Sequence, residues 1–166
     1  MNAEELKALQ APLKEMYKRN PVSAVVTLRA EGDLARGLAC RVDTGRAVVE
    51  AGLHPATGGT GEQACSGDML LQALAACAGV TARAVATAFG VELRGGKVLV
   101  EGDLDFRGTL GVAKDAPVGF RAIRVRFVLD SDAEPATLDK IAAVAERYCV
   151  VLQTLRTAPD ISVSRG

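Results

Sequence analysis

Four cysteines, one histidine and a few charged residues near them are the side chains here that could carry covalent chemistry. Cys77 stands inside Ala73-Leu74-Ala75-Ala76-Cys77-Ala78-Gly79, a run of small residues that lets another helix or a sheet come close. Cys149 lies on the apolar side of the three-and-four spacing Leu138, Ile141, Ala145, Tyr148, Cys149, Leu152. A thiol in either place is a small core hydrophobe or a reactive centre, and spacing alone leaves both readings open. Cys40 falls in a strand pattern and reads as packing. Cys65 stands just before a helix start, ~18 Å from Cys77 along a continuous helix and too far for a disulfide. Read alone, Arg36 is a solvated loop charge, and His54-Pro55 is a turn whose histidine has no second ligand type nearby. With no C-x-x-C pair, a structural zinc site is not expected. Gly58-Gly59-Thr60-Gly61 lacks the Lys-Ser/Thr that would make it a phosphate loop.

The elements that must hold these residues follow from periodicity. The segment Ser66–Phe89 predicts the central helix, roughly 36 Å long, with Ser66 as N-cap, Asp68 at the positive end of the dipole and Gly90 as the stop. It is apolar on nearly every side, which predicts burial; Asp68, Gln72, Thr81 and Arg83 argue against a membrane span. Upstream, Asn2 and Glu5 form a capping box for a first helix whose stripe is Leu6, Leu9, Leu13, Met16 and Tyr17, with a kink or split expected at Pro12. Ala24–Ala30, Gly37–Val42 and Arg46–Ala51 read as an antiparallel meander, with turns at Glu31-Gly32-Asp33 and Asp43-Thr44-Gly45. Lys97–Phe106 and Phe120–Leu129 read as a long hairpin. A helix capped by Ser131 or Asp132, with Pro135 in its first turn, carries Cys149, and Ile161–Ser164 is expected as a last short strand. Strands, one buried helix, a hairpin and another helix make an α+β fold.

The chain has 166 residues, enough for one domain spanning 1–166 with residues 1–21 as a helical extension. Hydrophobic residues are 49%, charged residues 24%, and the net charge is zero, so a nucleic-acid footprint is not expected. No positive segment followed by an apolar one opens the sequence, and four cysteines without it suit a reducing cytoplasm.

Four stretches together resemble the family of osmotically inducible protein C and the organic hydroperoxide resistance proteins (OsmC/Ohr). Glu31-Gly32-Asp33-Leu34-Ala35-Arg36-Gly37 is similar to the turn that carries the family's active-site arginine. The segment Ser66-Gly67-Asp68-Met69-Leu70-Leu71-Gln72-Ala73-Leu74-Ala75-Ala76-Cys77 resembles the one ending in the family's peroxidatic cysteine. Gly90-Val91-Glu92-Leu93 fits the exit from that helix, and Ala145-Glu146-Arg147-Tyr148-Cys149 resembles the A-E-x-x-C of the resolving cysteine. The family usually has Pro-Glu where this chain has Ser66-Gly67, and often proline where it has Val150.

The resemblance implies an OsmC-like fold, an intertwined homodimer with sites at the interface, and thiol-based reduction of organic hydroperoxides. It casts Cys77 as nucleophile, Cys149 as resolver and Arg36 as thiolate partner, with Asp68 or Glu62 in place of the family glutamate. An arginine beside the thiol lowers its pKa, and the thiolate attacks the O–O bond to give a sulfenic acid. The second thiol condenses with it, and an external dithiol restores both. No metal, haem or other cofactor enters this scheme. Apolar walls favour an alkyl or fatty-acid hydroperoxide over hydrogen peroxide. The rival expectation is a non-catalytic member that binds a small ligand or senses redox state, with Cys77 left unactivated.

Overall fold

The computed structural model describes residues 3–34, 40–42 and 51–165. Its centre is the helix α2, Ser66–Ala88. Alanine-rich sequence favours the helix, and the small side chains set how near it can lie to its support. Leu71, Leu74, Ala75, Ala78, Gly79, Ala82, Arg83 and Ala86 are buried, a three-and-four stripe facing the sheet. Burying one leucine of that stripe is worth about 1.5–3 kcal/mol. The burial is one-sided: Met69, Leu70, Ala73, Val80 and Ala84 on the other side are exposed, so the chain alone does not cover the helix all round. By length and composition α2 could cross a bilayer; here it lies on the sheet. Cys65, in extended conformation, is its N-cap, and Ser66 is its first residue rather than the cap. At the other end Gly90 takes the left-handed conformation (φ 68°), and the Val91 N–H donates to the Ala86 carbonyl at 2.9 Å, a Schellman closure.

The sheet has four strands: β1 (Val25–Leu34), β2 (Cys40–Val42), β5 (Gly95–Asp105) and β6 (Phe120–Asp130). They lie in the order β2-β1-β5-β6, each neighbour antiparallel. Two short strands, β3 (Ala51–Gly52) and β4 (Ala64–Cys65), pair in parallel beside them. β5 alternates as its sequence requires, with Val98, Val100 and Leu104 buried towards α2. Gly102 continues that face because a Cβ there would sit 2.5 Å from the Phe120 ring.

Several sequence expectations change. Glu31-Gly32-Asp33 is not a turn: β1 runs through it to Leu34, paired with β5 at Gly32↔Val98. The strand expected over Arg46–Ala51 lies mostly outside the described residues, and Ala51 pairs in parallel with Ala64. Residues 157–165 form no strand, so the strand expected over Ile161–Ser164 is absent and Ile161 and Val163 are exposed. The first helix, α1 (Ala3–Arg19), runs unbroken through Pro12, while its Asn2 cap lies outside the described residues. Tyr17 docks α1: the ring is buried and Oη donates to the Ala56 carbonyl at 2.6 Å.

After a single turn α3 (Phe106–Thr109), the hairpin leads to α4 (Pro135–Tyr148), whose cap position is Glu134. Ser131 instead turns the chain, donating to the Glu92 carbonyl and accepting from the Ala133 N–H. The apolar spacing predicted one helix through Leu152. It breaks at Cys149, extended at ψ 108°, and restarts as α5 (Val150–Arg156). Tyr148, expected on the inner face, is 61% exposed.

Candidate active site

Cys149 is fully buried, and its backbone serves two helices at once. Its N–H closes α4 on the Ala145 carbonyl, and its carbonyl accepts from the Gln153 N–H to open α5, both at 2.9 Å. Because the break is one residue long, the first N–H groups of α5 have no carbonyl one turn back in their own helix. Those of Val150 and Val151 point at the Cys77 sulfur, half-buried at the middle of α2. The Cys149 thiol donates to the same sulfur.

The two thiols are thereby made unequal. Burial alone would push the Cys77 thiol up, but hydrogen bonds from the Val151 backbone, the Cys149 side chain and the Val150 backbone are the main contributions that outweigh it, and its pKa falls below the ordinary thiol value. Cys149 moves the other way, to about 11, first because it is buried and then because it faces a Cys77 thiolate. The first proton lost by the pair leaves from Cys77, and Cys149 keeps its own. Thr81 also ties the helix locally, its hydroxyl donating to the Cys77 carbonyl at 2.7 Å.

The other residues singled out from sequence are placed differently. Arg36 lies outside the described residues, as does the side chain of Cys40. Glu62 is exposed on the loop before β4, its N–H donating to Thr60 Oγ1. Asp68 is half-buried in the first turn of α2, nine residues or roughly 14 Å from Cys77. Burial raises its carboxyl pKa, with His54 pulling the other way. Cys65 is a free, half-buried thiol at the foot of α2.

Sequence reasoning missed the backbone donors of Val150 and Val151, since only a helix break supplies them and the apolar spacing runs straight across it. It also passed over His54. That ring stacks on Phe106 with centroids 4.8 Å apart, and its Nδ1 accepts from the Ala56 N–H at 3.0 Å. Two cavities flank α2. One of about 420 Å³ lies at its foot, between His54, Cys65, Leu70 and Phe120. A groove of about 600 Å³ lies between β6 and the α4–α5 pair; Leu74 and Leu152 line it, each one helical turn from a cysteine of the pair. Among the described residues no group of three metal-ligating side chains converges.

A long helix laid on an antiparallel sheet, with a thiol at its middle facing a second thiol, defines an α+β protein of the two-thiol kind. The profile of the OsmC-like protein family matches residues 59–164, well over half of the chain, and the chain belongs to that family. The crystal structure of an OsmC-like hydroperoxide resistance protein from Jannaschia sp. CCS1, at 1.70 Å resolution, is similar in fold. It superposes with a TM-score of 0.59 and 18% identity, over 83% of this chain and 91% of that one. No curated protein matches the sequence.

Proposed function

We propose that the protein reduces organic hydroperoxides through Cys77 and Cys149, in defence against oxidative stress. One observation carries this reading: Cys77 is the thiol whose proton is held less tightly, and the thiol that contacts it keeps its own. The Cys77 thiolate attacks one oxygen of R–O–O–H; the S–O bond forms, the O–O bond breaks, and R–O⁻ leaves to take a proton as the alcohol. Cys149 then displaces hydroxide from the sulfenic sulfur, its own proton completes a water, and a disulfide is left. An external dithiol takes over the disulfide by exchange and returns both thiols. Each turn reduces one hydroperoxide and oxidises one dithiol.

In this reading Arg36 is a second source of thiolate stabilisation, held by Asp68 or Glu62. A second copy of the chain covers the exposed side of α2, through Met69, Ala73, Val80 and Ala84. The free thiols suit a reducing cytoplasm.

The test is stopped-flow reduction of cumene hydroperoxide, with hydrogen peroxide as control, followed by peptide mapping. One equivalent of hydroperoxide should leave a Cys77–Cys149 disulfide; a Cys65–Cys77 or Cys40–Cys77 bond would sink the assignment. Arg36→Ala should slow the reaction at least tenfold, ~1.4 kcal/mol of barrier, and Arg36→Lys should recover part. Rapid formation of the disulfide without turnover by any dithiol would favour a redox sensor.

A further inference from the structure

The larger groove has a floor without charge and one end with a loosely held one. Leu74, Ile123, Val125, Phe127, Leu152 and Leu155 make the floor. Four charged side chains border it: Asp139 and Glu146 of α4, Arg156 of α5 and Arg121 of β6. Glu146 and Arg156 pair with each other. Arg121 is placed otherwise. Its side chain is half exposed, and its one ion pair among the described residues reaches Asp105 Oδ2 at 3.8 Å, beyond hydrogen-bond distance. That carboxylate is already taken: Arg107 Nη2 donates to it at 2.6 Å and Nε to both of its oxygens. Among the described residues, a planar guanidinium thus stands at the end of an apolar groove with only a long contact to a carboxylate that Arg107 already holds.

We propose that Arg121 anchors the head group of long-chain carboxylic acids in this groove, with the chain lying along β6 towards Phe127. From Arg121 to Phe127 the strand covers ~20 Å at ~3.3 Å per residue, the reach of a long acyl chain. Leu74 and Leu152 meet the groove between α2 and α5 and are each three residues from Cys77 and Cys149. The second step of the proposal is that a hydroperoxide carried partway along such a chain is brought past Leu74 and Leu152 towards the thiol pair, while one on a compact molecule has no head group for Arg121. This second step rests on the peroxidase reading; the binding of the acid does not.

The test uses the full chain in its reduced form. Oleate and oleyl alcohol are titrated against the natural protein, Arg121→Gln, Arg121→Lys and Leu155→Trp. Arg121→Gln should weaken oleate about tenfold or more relative to oleyl alcohol, the loss of one charge-assisted contact, and Arg121→Lys should restore part. Leu155→Trp, which fills the groove, should weaken both. With linoleic acid hydroperoxide, Arg121→Gln should raise KM about tenfold or more relative to its effect with cumene hydroperoxide, with kcat retained. Arg121-dependent oleate binding without hydroperoxide reduction would leave the head-group site standing and remove the peroxidase reading. Equal oleate affinity in the natural protein and Arg121→Gln overturns the proposal. So does absence of oleate binding together with a dimer that Leu155→Trp dissociates, which would assign the groove to a second copy of the chain.

Discussion

The difference between the two thiols comes from which of them receives hydrogen bonds and which gives one. Cys77 accepts from two backbone N–H groups and a thiol, while Cys149 keeps its proton, donates a hydrogen bond with it and is walled off from water. Val150 isolates the backbone share. It is the first residue of α5, where proline is tolerated, and Cys149 before it is already in the extended region that a following proline demands. Its side chain is 72% exposed, so little packing changes. Val150→Pro should therefore fold normally and raise the Cys77 pKa, seen as a shift to higher pH in the rate of iodoacetamide labelling. The shift should be partial, because the stronger Val151 donor remains. An unchanged titration would mean that the thiol is set by other groups, Arg36 first among them.

At the scale of elements, Gly102 makes the sharpest test of packing. A methyl group there meets the Phe120 ring at 2.5 Å and Leu71 at 3.2 Å. Gly102→Ala should cost about 1–3 kcal/mol in urea unfolding, and Phe120→Leu in the same chain should return much of it. This scale also shows what the sequence made legible. Helix α2 could be read to within a residue at each end, because its apolar run, Gly90 and the dense alanines all agree. β5 and β6 could be read from alternation. The continuation of β1 through Glu31-Gly32-Asp33 could not. Those residues have turn propensities, and only their ladder with β5 makes them a strand. The break at Cys149 was hidden for the opposite reason: Ile141, Ala145 and Leu152 face inward on both sides of it, so the pattern carries no mark. The pair of cysteines was visible as two inward thiols, but their contact is a property of how α4 and α5 cross α2.

At the scale of the whole molecule, two ionic links of the sheet bear on stability against acid. Arg124 donates to Asp103 at 2.6 and 2.9 Å, and Arg107 clamps the buried Asp105. Hydrogen bonds from these arginines hold both carboxyls below the usual carboxylate range. A group whose folded pKa is depressed stabilises the fold fully above its unfolded pKa and loses that contribution as pH falls through the folded one. Melting temperature should hold from neutral pH down to the ordinary carboxylate range and then fall on further acidification. Arg124→Gln should remove part of the dependence by freeing Asp103. A melting temperature that is flat to strong acid would rule out these two links as contributors.

The contact between α2 and the α4–α5 junction ties residues that are far apart in the chain. A covalent bond between Cys77 and Cys149 closes a loop of about seventy residues. Such a closure removes conformational freedom from the unfolded chain, worth about 4 kcal/mol for a loop of that size in the chain-entropy account. The oxidised protein should therefore melt well above the reduced one by calorimetry. By thermodynamic linkage, whatever the fold gains from the bond it also lends to the bond: at ~30 mV for each ~1.4 kcal/mol, folding makes the disulfide harder to reduce by somewhat less than 100 mV. Unfolding the chain should then return the pair towards the potential of an unconstrained dithiol, so urea and reducing agent act as partners, each making the other's task easier.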